Sequence, residues 1–325
     1  MNSKKTILLT ASYKGRPLEI VHELVPPGFS LVTMDTNSQE ELTEKAPCAD
    51  YILASGKMMI DRKVVDAAEK LRMVQRLGVG LDTLDFNALN SRAIPVYVNQ
   101  GVNAGSVAEH AVMFILASLR RLPEISKRTK SGIWNKQEQG VTTRTLEART
   151  VGIVGIGNIG RRVAGLLRGF GCRILYYDIY RLDGAVEEDM GIEYVDLELL
   201  LSVSDVITLH CPLVPQTEDI ICGDNLRRMK DGVIIINTSR GGLVKEADLL
   251  KALETGKVGY AALDVFEAEP IRNYALAKHP NVICTPHIAG NTFDAFSQML
   301  REAFRNIALY DKGQLTEISK HLVSR

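Results

Sequence analysis

Short apolar runs recur along this chain at residues 6–11, 31–34, 51–54, 73–76 and 96–98, and again at 151–154, 173–177, 206–209, 233–236, 261–265 and 282–284. Stretches with helical spacing lie between them, among them residues 16–24, 39–45 and 62–70. Apolar runs of strand length suit parallel strands covered on both faces, and their alternation with helices is the pattern of βαβ units. The prediction is an α/β protein with two doubly wound parallel sheets, the first domain ending near Asn99 and the second sheet holding six strands. A last helical stretch, 292–310, has no strand after it and is expected to fold back on the first domain. The first domain would then be discontinuous, 1–99 plus 291–325, with 100–290 inserted in it. A chain of 325 residues also exceeds what one hydrophobic core usually supports.

Two segments stand apart from this alternation. Residues 103–121 predict a long helix, opened by Ser106 with Glu109 three positions later as a capping box, and apolar nearly all round. Such a helix should be buried between domains or between subunits. Residues 132–145, which hold the single tryptophan, Trp134, are polar and irregular, and read either as an arm reaching another subunit or as a surface loop.

One stretch carries chemistry of its own. From Thr150 the chain reads T-V-G-I-V-G-I-G-N-I-G, a strand pattern, three glycines at Gly155, Gly157 and Gly160, then a helical pattern and a second strand ending in Asp178. This is a dinucleotide-binding fingerprint: one glycine for the tight turn, one for backbone approach to a pyrophosphate, one for close packing of helix on strand. The helix N-terminus, with N–H groups at Asn158 and Ile159, favours the anion. Asp178 stands near the spacing of about 20 residues at which a carboxylate bonds an adenosine ribose 2′-OH. A carboxylate there prefers NAD to NADP; Arg181 weakens that preference.

Composition removes other classes. Lys+Arg and Asp+Glu both number 39, so no basic field exists to hold nucleic acid or an anionic membrane. Cys48, Cys172, Cys211, Cys222 and Cys284 are odd in number and never spaced C-x-x-C, which excludes a disulfide framework and a zinc site of that kind and suits a reducing cytoplasm. The N-terminus is expected to carry no signal peptide, and no run approaches the ~18 apolar residues of a membrane span.

Four segments together, the glycine run, I-N-T-S-R-G-G-L-V at 236–244, A-L-D-V-F-E-A-E-P at 262–270 and T-P-H-I-A-G at 285–290, resemble the D-isomer-specific 2-hydroxyacid dehydrogenases, and G-V-G-L-D at 78–82 matches that family's substrate loop. The resemblance covers the chain in order. It implies a Rossmann NAD-binding domain inserted in a flavodoxin-like substrate domain, a homodimer, and hydride transfer between NAD and a small 2-hydroxy or 2-keto acid in an interdomain cleft. His287 is the natural proton donor, since an imidazole titrates near neutral pH. Glu269 is its carboxylate partner by resemblance, and Glu267 the decoy. Arg240, after its strand, offers a planar fork for the substrate carboxylate and a charge that polarises the neighbouring carbonyl. By resemblance the Val79 and Gly80 amides hold the other side of that carboxylate, and Asp264 takes the nicotinamide carboxamide. Thr238 and the loop His210, Cys211 and Pro212 line the ribose and nicotinamide end, Thr217 the pyrophosphate, and Gly290 is a further cofactor contact. Ser55 or Lys57 is a candidate substrate contact. His110 and His210 read as structural rather than as a second acid.

The resemblance narrows the substrate further. Phosphoglycerate-oxidising members carry an arginine near the end of the third strand, where this chain has Ala54, and often an added regulatory domain, whereas this chain stops at Arg325. Glyoxylate and hydroxypyruvate reductases are the better match. The alternatives are a D-3-phosphoglycerate dehydrogenase, a phosphite or formate dehydrogenase, and an NAD-sensing corepressor-like interaction protein without catalysis.

Overall fold

The computed structural model of the protein describes residues 4–56 and 58–323, and the chain divides into two compact units, Met1–Asn103 with Phe293–Arg325, and Ala104–Thr292. Lys57, named above as a substrate candidate, lies outside the described residues.

In the first unit β1 (Lys5–Leu9), β2 (Phe29–Thr33), β3 (Tyr51–Ala54), β4 (Met73–Arg76) and β5 (Val96–Tyr97) form a parallel sheet ordered β2-β1-β3-β4-β5. β3 and β4 are buried at every position, which is why they read as unbroken apolar runs. Helices α1 (Arg16–Leu24), α2 (Gln39–Lys45), α3 (Arg62–Ala67) and α4 (Phe86–Ser91) fill the crossovers. Ser38, Asp61 and Asp85 cap three of them by accepting a backbone N–H. The terminal helix Phe293–Asp311 packs Leu300, Ala303, Phe304 and Ile307 onto Ile7, Leu9, Tyr51 and Met73. Its Asp311 accepts hydrogen bonds from Tyr51 Oη at 2.6 Å and Arg72 Nη1 at 2.7 Å, and pairs with Lys5. One strand does follow this helix, contrary to the sequence reading: Leu322–Val323 adds to β5 antiparallel, a two-residue strand too short to leave a periodicity.

The second unit opens with α5 (Ala104–Leu119), α6 (Leu122–Lys130) and α7 (Lys136–Gly140). Ser106 lies inside α5 rather than at its start, and its hydroxyl shares a 3.0 Å hydrogen bond with that of Thr292, so the expected capping box does not form. The sheet comprises β6 (Thr150–Val154), β7 (Arg173–Tyr177), β8 (Glu193–Tyr194), β9 (Val206–Leu209), β10 (Val233–Asn237), β11 (Val258–Leu263) and β12 (Val282–Cys284). All its pairings are parallel, in the order β8-β7-β6-β9-β10-β11-β12. It has seven strands rather than six, because the short β8 extends the edge. α8 (Asn158–Leu167) and α5 cover one face, where Ala108, Ala111 and Ile115 meet Val163, Ala164 and Leu167. α9 (Gly184–Met190) follows β7; α10 (Leu197–Val203), α11 (Gly223–Arg228) and α12 (Glu246–Glu254) build the other face around Leu200, Leu226 and Leu249. The strand order reverses between β6 and β9, and ligands of such sheets bind outside the carboxyl ends at that switch point.

Candidate active site

Three glycines shape the switch point, each differently. A Cβ on Gly155, whose φ is +96°, would lie 2.6 Å from Cys211 N and 2.7 Å from His210 C, and one on Gly160 would lie 2.1 Å from Gly155 O. Both are packed against backbone. A Cβ on Gly157 would meet nothing within 4 Å, and no side chain caps the helix that starts there. The N–H groups of Asn158 and Ile159 thus lie at the positive end of α8 beside open space, where an anion such as a pyrophosphate is favoured. Asp178, just past β7, faces the same turn: its carboxylate accepts from Ile156 N at 2.7 Å and Tyr180 N at 3.2 Å.

After β9, His210 is buried, and burial pushes its imidazole down to about 3, so the ring is neutral. Its Nε2 meets Thr208 Oγ1 at 2.8 Å while Nδ1 is buried without a partner, as is the hydroxyl of Thr238 past β10. Two such polar atoms beside the glycine turn fit the hydroxyl and amide edge of a nucleotide. Cys211 is half-buried and its thiol is pushed up to about 11 by burial. Pro212 and Thr217 close the next turn between them, Thr217 Oγ1 donating to Pro212 O at 2.6 Å.

The groups for proton transfer gather at the ends of β10, β11 and β12. Asp264, 1% exposed, accepts hydrogen bonds from Ile288 N at 2.8 Å, Ala289 N at 2.7 Å and the Thr285 hydroxyl, and its own carbonyl accepts from His287 N at 2.8 Å. This pins the turn that ends at Gly290 and holds His287 at a φ of 56°. His287 Nδ1 lies 2.6 Å from Glu269 Oε2, while Glu269 Oε1 accepts from Phe266 N at 3.2 Å. The bond to Glu269 lifts the imidazole above its ordinary range against the opposing effect of burial. Burial would raise the Glu269 carboxyl, yet the His287 bond and charge, the Phe266 amide and the Arg240 charge together hold it below the usual carboxylate range. The decoy Glu267 is engaged elsewhere, accepting from Glu246 N at 2.8 Å.

Arg240, half-buried at the end of β10, donates to Ser239 O at 2.7 Å, and its charge acts on both members of the His287–Glu269 pair. Gly241 explains the closeness: a Cβ there would come within 2.0 Å of the Phe266 carbonyl carbon and oxygen. Arg240, Glu269, His287 and Asp264 are therefore one cluster. The motif reading passed over Asn237, wholly buried, whose Nδ2 donates to Arg240 O at 2.8 Å and whose Oδ1 accepts from Ser239 N at 3.0 Å. His110, read from the sequence as structural, meets Thr285 Oγ1 with its Nε2 at 3.2 Å, and its charging is disfavoured by burial.

In the first unit, Val79 is exposed and Gly80 half-buried in the loop after β4. The nearly buried Arg76 shapes that loop, with Nε donating to Gly80 O and Nη1 to Ser55 O, each at 2.6 Å. Ser55 itself is buried, its hydroxyl shared with Thr10 Oγ1 at 3.2 Å, so its side chain serves the turn after β3.

This fold and site define a nicotinamide-dinucleotide-dependent dehydrogenase. Residues 112–289 match the sequence profile of the D-isomer specific 2-hydroxyacid dehydrogenase, NAD binding domain. The chain belongs to the D-isomer specific 2-hydroxyacid dehydrogenase family, oxidoreductases that act on a CH–OH group with NAD. It is 36% identical over 316 residues to the glyoxylate reductase of Thermofilum pendens, covering 93% of both chains. It is 37% identical over 290 residues to the D-3-phosphoglycerate dehydrogenase of Archaeoglobus fulgidus, a match of 89% of this chain but only 53% of that one, so the chain spans about half of that relative's length. The crystal structure of D-lactate dehydrogenase from Aquifex aeolicus, complexed with NAD and lactic acid, superimposes with a TM-score of 0.83 at 28% identity over 98% of this chain and 99% of that one. No helix among the described residues is long and apolar enough to cross a membrane.

Proposed function

We propose that the protein reduces a short, unphosphorylated 2-keto acid of the glyoxylate or hydroxypyruvate kind to its D-2-hydroxy acid, and runs the reverse oxidation at higher pH. The observation that carries this is the His287–Glu269 pair, 2.6 Å apart, under the charge of Arg240. NADH, when bound, supplies the hydride to the carbonyl carbon. The Arg240 guanidinium binds the substrate carboxylate and draws electron density from the adjacent carbonyl. His287, its Nδ1 proton directed at Glu269, delivers a proton from Nε2 to the oxygen that becomes the hydroxyl. Asp264 holds that imidazole in place through the turn it pins. Asn158, Ile159 and Asp178 hold the pyrophosphate and adenosine ribose; His210, Cys211, Pro212, Thr217, Thr238 and Gly290 line the rest of the nucleotide. Ser55, Val79 and Gly80 belong to the loops assigned to substrate. A homodimer in a reducing cytoplasm completes the reading, the compartment in keeping with five scattered cysteines, all free.

The test is turnover over a panel of 2-keto acids, 3-phosphoglycerate, formate and phosphite with each nicotinamide cofactor, in wild type and His287→Ala. Glyoxylate or hydroxypyruvate with NADH should head the panel, and the variant should lose at least about a hundredfold in kcat while binding NADH as before. A preference for 3-phosphoglycerate would overturn the substrate assignment, and undiminished turnover in the variant the assignment of the acid.

A further inference from the structure

Three residues past Asp178 stands Arg181, placed where a guanidinium accommodates the 2′-phosphate of NADP. Its fork is already occupied. Nε and Nη2 each donate at 2.9 Å, to Glu187 Oε1 and Oε2 respectively, and the guanidinium lies 5.2 Å from the centre of the Tyr194 ring. Glu187, on α9, is only 8% exposed, and its Oε1 also accepts from Tyr176 Oη at 2.7 Å. That phenol in turn accepts from Leu182 N at 2.8 Å. The chain of contacts from Leu182 through Tyr176 and Glu187 to Arg181 is closed.

An exposed ion pair is ordinarily easy to open, but this one is asymmetric. The arginine side chain is 61% exposed and the glutamate 10%. If Arg181 swung to a phosphate, Glu187 would keep a largely buried negative charge with one phenol for company, and that stranded charge opposes the swing. The bidentate pair takes the Nε–H and one Nη2–H and, with the Tyr194 ring, fixes the plane in which the remaining donors point.

We infer that Glu187 is a specificity-determining residue: it holds Arg181 away from the adenosine 2′ position, so that the arginine, which by sequence weakens the preference for NAD, does not offer its charge to NADP. Asp178 repels the 2′-phosphate, and Glu187 holds back a cation that could compensate. The inference rests on the placement of the adenosine ribose at Asp178, and it predicts that replacing Asp178 alone is a poor route to NADP use.

The experiment measures dissociation constants of NADH, NADPH, AMP and adenosine 2′,5′-bisphosphate for the full chain, by cofactor fluorescence and calorimetry. Glu187→Gln keeps the shape and the Tyr176 bond while removing the charge. It should tighten NADPH and the bisphosphate about tenfold or more relative to NADH and AMP, the scale of a freed charge-assisted bond to phosphate. The gain should vanish in Glu187→Gln/Arg181→Leu. Should the Gln variant fail to fold, Glu187→Ala is read in the same way. Equal effects on phosphorylated and unphosphorylated ligands, or a gain that survives loss of Arg181, overturn the inference. Asp178→Ala leaving all four affinities unchanged would instead overturn the ribose placement, and the inference with it.

Discussion

His287 occupies the left-handed region at a φ of 56°, where a β-carbon is crowded, and a residue stays there only if its surroundings over-determine it. Asp264 does so from below through three amides and the Thr285 hydroxyl, and Glu269 from the side. Because the Glu269 bond is the largest cause of the raised imidazole pKa, Glu269→Gln should lower it. Keto-acid reduction needs protonated His287, so it falls as pH rises through that pKa; hydroxy-acid oxidation needs the neutral ring and rises through it. The variant should therefore move the alkaline limb of the reduction profile to lower pH and cost about tenfold or more in kcat. A limb that stays in place would show that Glu269 does not set the proton affinity of the ring. That Arg240, Glu269 and His287 lie together was expected from motifs that follow strands, with Glu269 picked out by resemblance alone, and the 2.6 Å contact of Glu269 with His287 fits that expectation. Asp264 as the pin of the turn and the His110 contact were not legible, because their partners lie 21 or more residues away; Asn237 and Arg76 have near neighbours as partners, but their side chains bond backbone groups that no motif marks.

The elements that position these residues were legible as short apolar runs: β3, β4 and β9, buried at every position, coincide with such runs, as do β7 and the less buried β12, and α1 and α2 coincide with helical spacing. What escaped was short or set by packing. β8 and the Leu322–Val323 strand have two residues each, and α5 starts ahead of Ser106. The β6–turn–α8 element makes its own prediction because its glycines differ in kind. Gly160→Ala drives a Cβ to 2.1 Å from the Gly155 carbonyl oxygen, an overpacking worth about 1–3 kcal/mol of stability or more. Gly157, at a φ of −70° and with open space before it, accepts a methyl without strain. Gly157→Ala should therefore melt as the wild type does yet bind NADH about tenfold or more weakly, since the methyl takes the room of the pyrophosphate and its hydrogen bonds. Thermal melting and NADH titration of both variants separate the two. Loss of melting temperature in Gly157→Ala, or full NADH affinity with it, would contradict the assignment of that space.

On the scale of the molecule, the proposed dimer rests on two helices that the single chain does not cover. α6 and α7 contain no buried residue, and helices of nine and five residues are marginal without tertiary packing. Around them Leu122 is 56%, Trp134 81% and Val141 74% exposed, apolar surface of the kind that marks an interface. A second copy of the chain supplies the missing cover in this reading, with the tryptophan at its centre as large aromatic anchors are. Sedimentation should accordingly give a species of twice 35.9 kDa. Since Trp134 is the single tryptophan, its emission reports the contact directly: blue-shifted in the dimer, moving toward that of hydrated indole on dilution below the dimer dissociation constant. Trp134→Glu should dissociate the dimer and leave each sheet intact by circular dichroism, because the residue contributes to neither core. A single-chain mass at high concentration, or tryptophan emission already that of hydrated indole in the assembled species, would place the interface elsewhere and leave α6 and α7 as a surface arm.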